Sequence, residues 1–250
     1  MNIALVTGGS RGLGKSMSVH IAAKGNDVVL TYKSKKADAE EVVKQIEQTG
    51  RKAAALALDV SDSKSFDGFV DKLKEVLQAK WKRDDLNFLV NNAGIGIYAP
   101  FAETSEKQFD ELMNVQLKGP FFLTQKLLPL IKDGGRIVNI STGLARFTLP
   151  GYSAYATMKG GIEVLTRYMA KELGAREISV NVVAPGAIET DFAGGAVRDN
   201  KEVNKFLASQ TALGRVGLPD DIGSVVASLL GDDNHWITAQ RIEASGGMFL

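Results

Sequence analysis

The chain has 250 residues, a formal net charge of +1 and no cysteine. Interspersed, nearly balanced charge argues against a nucleic-acid partner, and the lack of cysteine removes disulfides and thiolate metal sites and suits a reducing, cytoplasmic compartment. No apolar run is long enough to span a bilayer, and Met1–Thr7, apolar without a basic segment, is not expected to be a signal peptide.

The first predicted element is the strand-length apolar run Asn2–Thr7, followed at once by Thr7-Gly8-Gly9-Ser10-Arg11-Gly12-Leu13-Gly14. Glycines here permit positive φ, let the backbone approach a pyrophosphate and let the next helix pack on its strand, while free N–H groups at the helix start face phosphates. The spacing is G-x-x-x-G-x-G rather than G-x-G-x-x-G, so by itself the segment reads as a dinucleotide turn or as a tight structural turn. The second strand, Asp27–Tyr32, runs into Lys33 and Ser34, with no acidic residue to accept from a ribose 2′-OH. Lys33 and Arg11 are either solvated surface charges or a cationic pair suited to a 2′-phosphate; the second reading favours NADP(H) without excluding NAD(H).

Further on, Asp38–Gln48 sets Val42, Val43 and Ile46 among charges before a stop at Gly50, and Phe66–Leu77 carries Phe69, Val70, Leu73, Val76 and Leu77 on one face. Ala53–Leu58, Leu86–Asn91, Arg136–Ile140 and Ile178–Val183 are continuous apolar runs, the pattern of parallel strands covered on both faces. Lys80–Asp85 reads as a solvated connection. Strand–helix alternation without a linker predicts one α/β domain over residues 1–250, a doubly wound parallel sheet with helices on both faces.

Tyr155 and Lys159 open a helical segment reaching Leu173, and their i, i+4 spacing puts phenol and ammonium on one face. A free tyrosine titrates near about 10, and a nearby cation can lower it toward useful acid–base range. The pair alone is common by chance.

In combination, Thr7–Gly14, Asn91-Asn92-Ala93-Gly94, Asn114, Ser141-Thr142, Tyr155/Lys159 and Pro185-Gly186 follow one order at set spacings. Over essentially the whole chain this resembles the short-chain dehydrogenase/reductase family, most closely its β-oxoacyl-carrier-protein reductase-like carbonyl reductases. The resemblance implies a single-domain Rossmann fold and hydride transfer between NADP(H) and a small carbonyl or alcohol substrate, a ketone or 3-oxoacyl thioester. It implies a homotetramer that pairs the helices bearing Asn114 and Tyr155.

By the same resemblance Tyr155 is the general acid in reduction and the base in oxidation, Lys159 lowers its pKa and holds the nicotinamide ribose, and Asn114 anchors a proton-relay water. The family's serine lies thirteen residues before the tyrosine, which selects Thr142 and leaves Ser141 as the fallback, since adjacent strand residues face opposite ways. The implied cofactor pocket takes Gly8, Ser10, Arg11, Gly12, Leu13, Gly14, Tyr32, Lys33 and Ser34, then Asp59 at the adenine amino group beside Val60. It continues through Asn91, Ala93, Gly94 and Ile140 to Tyr155, Lys159, Pro185, Gly186, Ile188 and Thr190. Gly94, Gly96, Leu144, Ala145, Tyr152 and Ser153 are expected to line a small, mostly apolar substrate pocket. Glu189–Asn204 reads as a mobile lid or as an ordinary exposed loop.

Ser245 stands where the family often has Asp, and Ala239 replaces a frequent glycine. His20 and His235 lack metal-ligand spacing, and no metal is expected; Trp81, Trp236 and Met169 read as packing or surface residues, and Glu163 and Asp191 as carboxylates near the expected site that nothing pairs as an acid/base couple. Two other functions remain open: an NAD-dependent sugar, polyol or alcohol dehydrogenase, and a catalytically silent nucleotide-binding regulator.

Overall fold

The computed structural model describes residues 1–250. In chain order the elements are β1 Ile3–Val6, α1 Gly12–Ala23, β2 Asp27–Tyr32, α2 Lys36–Glu47, β3 Ala53–Ala57, α3 Phe66–Trp81, β4 Leu86–Asn91, α4 Glu106–Met113, α5 Gly119–Leu127, β5 Ile131–Ile140, α6 Ser153–Leu173, β6 Ser179–Pro185, α7 Ala196–Asp199, α8 Lys201–Ser209, α9 Pro219–Leu229 and β7 Arg241–Ala244. The seven strands form one parallel sheet in the order β3-β2-β1-β4-β5-β6-β7.

The central strands β1, β2, β4 and β6 and the second half of β5 are buried on both faces, while the edge strand β3 is only partly covered. Met17 and Ile21 of α1, Val42 and Ile46 of α2, and Ile222 and Val226 of α9 cover one side. On the other side Phe66, Leu73 and Leu77 of α3 pack with Leu123 and Leu127 of α5 and Ala170 of α6. No helix is long and apolar enough to cross a membrane. The edge strand β7 escaped the sequence reading because Arg241 and Glu243 interrupt any apolar run. Strand order reverses between β1 and β4, and at such a switch the crevice beyond the carboxyl ends of the strands is the ligand site of open α/β sheets.

Candidate active site

A cavity of about 930 Å³ opens at that switch point. Its floor is the turn between β1 and α1. Gly12 has φ +52, and a Cβ on Gly14 would fall within the carbonyl oxygen of Gly8, so the turn leaves no room for side chains beneath the cavity. Arg11, the residue before α1, makes no side-chain cap, which leaves the first helix N–H groups available to an anion. The turn is locked to the end of β4: the Thr7 hydroxyl accepts from the backbone N–H groups of Asn92 and Ala93 at 2.9 and 3.0 Å, and Asn92 Nδ2 donates to the Thr7 carbonyl at 2.8 Å. Gly8, Ser10, Arg11, Gly12, Leu13, Gly14, Tyr32, Lys33, Asp59, Val60, Ala93, Gly94, Ile140, Pro185, Gly186, Ile188 and Thr190 all line the cavity. A glycine cradle, a bare helix start and flanking cations fit the pyrophosphate and ribose of a dinucleotide.

Lys33 and Asp59 meet each other across the cavity wall, Nζ to Oδ2 at 2.7 Å. Partial burial would raise the Asp59 carboxyl, but hydrogen bonds from Lys33 and Ser61 outweigh it and hold the group below the usual carboxylate range. Arg11 faces Asp191 at 3.8 Å.

Helix α6 carries the reactive pair on its buried face, where Tyr155, Met158, Lys159, Ile162, Thr166 and Ala170 recur at helical spacing. Lys159 Nζ donates to the Ile140 carbonyl at 2.7 Å and lies 5.8 Å from the centroid of the Tyr155 ring. Burial brings the Lys159 ammonium down to about 7. Burial also pushes the Tyr155 phenol well above its ordinary value, against the opposing effect of a hydrogen bond with the Thr142 hydroxyl. Burial thus dominates the phenol in this arrangement, and the Lys159 ammonium donates to the Ile140 carbonyl.

Strand alternation separates the two hydroxyls after β5. Both residues line the cavity, but their hydroxyls take different partners on α6: Thr142 is turned to Tyr155, whereas Ser141 Oγ donates to Glu163 Oε1 at 2.7 Å. Glu163 belongs to a charged chain that the sequence reading missed: Arg241 donates to it at 2.8 Å, to Glu243 at 2.8 Å and to the Thr142 carbonyl at 3.2 Å.

Several expected site residues lie elsewhere. Asn114 starts a π-helical turn, Asn114–Lys118, and borders a small polar groove with Glu106, Lys107 and Asp110 instead of the main cavity. Two residues on, Gln116 reaches the cavity; it is 1% exposed, its Nε2 donates to the Ile95 carbonyl, and its Oε1 has no partner. The wider π-helical turn decides which residue faces inward, and α-helical periodicity cannot register it. Asn91 is a core residue, donating to Thr124 and Asn139 at 2.9 and 2.8 Å, and its neighbour Asn92 lines the cavity. Ser34 and Ser153 are exposed and do not line the cavity.

Gly94, Gly96, Leu144 and Tyr152 do line it, together with Tyr98, Phe147, Phe192, Phe206 and Met248, which no local pattern singled out. One continuous cleft serves both the cofactor and the substrate halves of the site. Residues 189–204 form short helical turns in place of an open loop: Ala193, Gly194 and Gly195 are left-handed, α7 follows, and Asn200 caps α8. Asp191, Phe192, Val197 and Val203 of this segment wall the cavity.

Fold and site together define a dinucleotide-binding oxidoreductase of the doubly wound class. Comparison with known proteins gives it a family. A family model described as enoyl-(acyl carrier protein) reductase matches residues 8–249. An uncharacterised oxidoreductase of Methylorubrum extorquens is 37% identical over 98% of this chain and 97% of its own. A hydroxynaphthalene reductase-like protein of Metarhizium brunneum is 35% identical over 98% of this chain and 94% of its own. Among solved structures, the angucycline C-6 ketoreductase LanV with bound NADP superimposes with a TM-score of 0.94 at 35% identity, covering 99% of this chain and 95% of its own. The promiscuous reductase LugOII, which catalyses keto-reduction, gives 0.94 at 37% identity, covering 100% and 98%. The chain belongs to the short-chain dehydrogenase/reductase family. It is an oxidoreductase that acts between carbonyl and alcohol groups.

Proposed function

We propose that this protein is an NADP(H)-dependent ketone reductase whose acid is Tyr155. The observation that carries the reading is the buried Tyr155 hydroxyl, paired with Thr142 above Lys159 in the same cleft as the glycine turn. Bound there, the dinucleotide would supply a hydride to the carbonyl carbon or accept one from the alcohol. Thr142 donates to the carbonyl oxygen as charge develops on it, and Tyr155 delivers the proton. A phenol held high by burial is protonated throughout the neutral range, which suits the reductive direction. Lys159, titrating near neutrality, is the group next in line to return that proton. Arg11 and Lys33 would meet a 2′-phosphate, in keeping with the NADP bound to LanV.

We further place the enzyme in the cytoplasm as a homotetramer, joined through the helices that carry Asn114 and Tyr155. Phe109, Phe121, Phe122, Val164 and Tyr168 on those helices are exposed and apolar or aromatic, and so support that pairing.

Turnover of ketones with NADPH, followed by cofactor absorbance, tests the reading. Tyr155→Phe should abolish turnover and leave cofactor affinity nearly unchanged; retention of more than about a tenth of the activity would refute the assignment. The Lys33–Asp59 and Arg11–Asp191 pairs favour a second reading, NAD(H) use, because they engage both cations. Lys33→Asp should lower the NADP(H)/NAD(H) efficiency ratio by at least about tenfold, and a wild-type preference for NAD(H) would establish the second reading.

A further inference from the structure

We infer that the substrate end of the cavity is built for an uncharged ketone set in fused aromatic rings. This rests on the carbonyl-reductase reading above and specifies its substrate. Four rings run in a row beside the reactive hydroxyl: Tyr98 to Tyr152 at 5.6 Å, Tyr152 to Tyr155 at 6.5 Å, and Tyr155 to Phe192 at 5.7 Å between centroids, with interplanar angles of 75°, 70° and 57°. These separations lie in the range of favourable aromatic contacts, so a further flat ring finds edges and faces already arranged for it. Tyr98 is 63% exposed and Phe192 41%, and both line the cavity, which leaves aromatic surface that a planar guest would cover. Facing space is closed by an aliphatic cluster around Leu207 and Met248, joined by Phe147 and Val203.

Charge narrows the guest further. The cations lining the cavity are Arg11, Lys33 and Lys159, in the glycine turn, after β2 and beneath Tyr155. Those are the positions assigned to the dinucleotide; Arg146, which packs over Phe147 and donates to the Met248 carbonyl, is paired with Glu243 and does not line the cavity. A carboxylate or phosphorylated carrier arm would lie there without a partner, in a cavity that Glu111 also lines. The polar atoms offered there include the phenols of Tyr98 and Tyr152 and the unpartnered Gln116 Oε1, suited to ring hydroxyls.

The test compares kcat/KM with NADPH for tetralone, cyclohexanone, a carboxylated tetralone and an acetoacetyl thioester. Tetralone should exceed cyclohexanone and the thioester by at least about thirtyfold, and the added carboxylate should cost about tenfold or more. In Phe192→Leu the tetralone advantage should shrink several-fold with NADPH affinity unchanged. Equal efficiencies for tetralone and cyclohexanone, or a preference for the thioester, would overturn the inference and leave the reductase reading standing. Should no carbonyl be reduced, the reductase reading falls. Calorimetry of naphthol against cyclohexanol on the NADP-loaded protein then decides the inference: tighter naphthol binding by about tenfold upholds it, and equal affinity overturns it.

Discussion

Thr142 and Ser141 differ by one position, line the same cavity and have different partners. The Thr142 hydroxyl meets Tyr155, while that of Ser141 is spent on Glu163. Loss of a donor to a developing oxyanion costs about 10²–10³ in kcat, so Thr142→Ala should be crippled by that amount, while Thr142→Ser should stay within about tenfold. Ser141→Ala should be mild, and a larger loss there than in Thr142→Ala would reverse the assignment. Lys159 is a stability cost as well as a functional group. Its native value of about 7 lies below the 10.5 of an unperturbed lysine, so between these the unfolded chain binds the extra proton and stability rises with pH. The penalty is therefore full below about pH 7. Lys159→Met should stabilise the protein by about 2–4 kcal/mol near neutrality, a gain that fades toward about pH 10, while ending turnover. Thermal denaturation at several pH values checks this; a constant difference across the range would contradict it.

At the scale of elements, β7 reaches back to the reactive loop through Arg241, which binds Glu163, Glu243 and the Thr142 carbonyl. Arg146 extends the chain to Glu243 and to the Met248 carbonyl, so the C-terminal residues that wall the cavity are tied to the strand end that presents Thr142. Arg241→Met would leave Glu163, with 14% of its side chain exposed, without its cation. Removing one partner of a largely buried pair is costly, and with partial solvent screening about 2 kcal/mol is expected. Adding Glu163→Gln should recover part of that loss, and denaturant melts of the single and double variants would reveal it; no recovery would show that the charge pair is not the origin. Just before β7, Ala239 is held at φ +60 by a hydrogen bond to the Val180 carbonyl at 2.8 Å. Left-handed backbone costs a residue with a Cβ about 1–2 kcal/mol, partly offset by the greater entropy glycine loses on folding. Ala239→Gly should therefore raise the melting temperature, by roughly 0.5–1 kcal/mol of stability, and a lower value would place the conformation's cause elsewhere.

For the whole molecule, α4, α5 and α6 leave the apolar or aromatic residues Phe109, Phe121, Phe122, Val164 and Tyr168 open, a cost to a free monomer that assembly would remove. Light scattering should give the mass of four chains. Tyr168→Glu, placing a charge on an exposed aromatic position of α6, should drive the assembly to smaller species by making any contact there bury an unpaired carboxylate. A wild-type monomer would refute the tetramer.

Alternation of apolar strands with helices, the glycine turn and the Tyr155–Lys159 spacing are local properties, and the chain alone determined them, because period and spacing act through bonded geometry. The reaction class came from the resemblance that the order of those motifs carries, and not from their geometry. Other features are contacts between segments remote in sequence, and only packing decided them. The π-helical turn rotated Gln116 into the cavity and Asn114 away from it; β-sheet pairing drew Asn91 into the core and left Asn92 at the rim. Lys33 met Asp59, and Phe192, Phe206 and Met248 came together around the substrate space, through the sheet's strand order. Burial likewise arises only in the assembled structure, and it raised Tyr155 and lowered Lys159, where their spacing had suggested a depressed phenol.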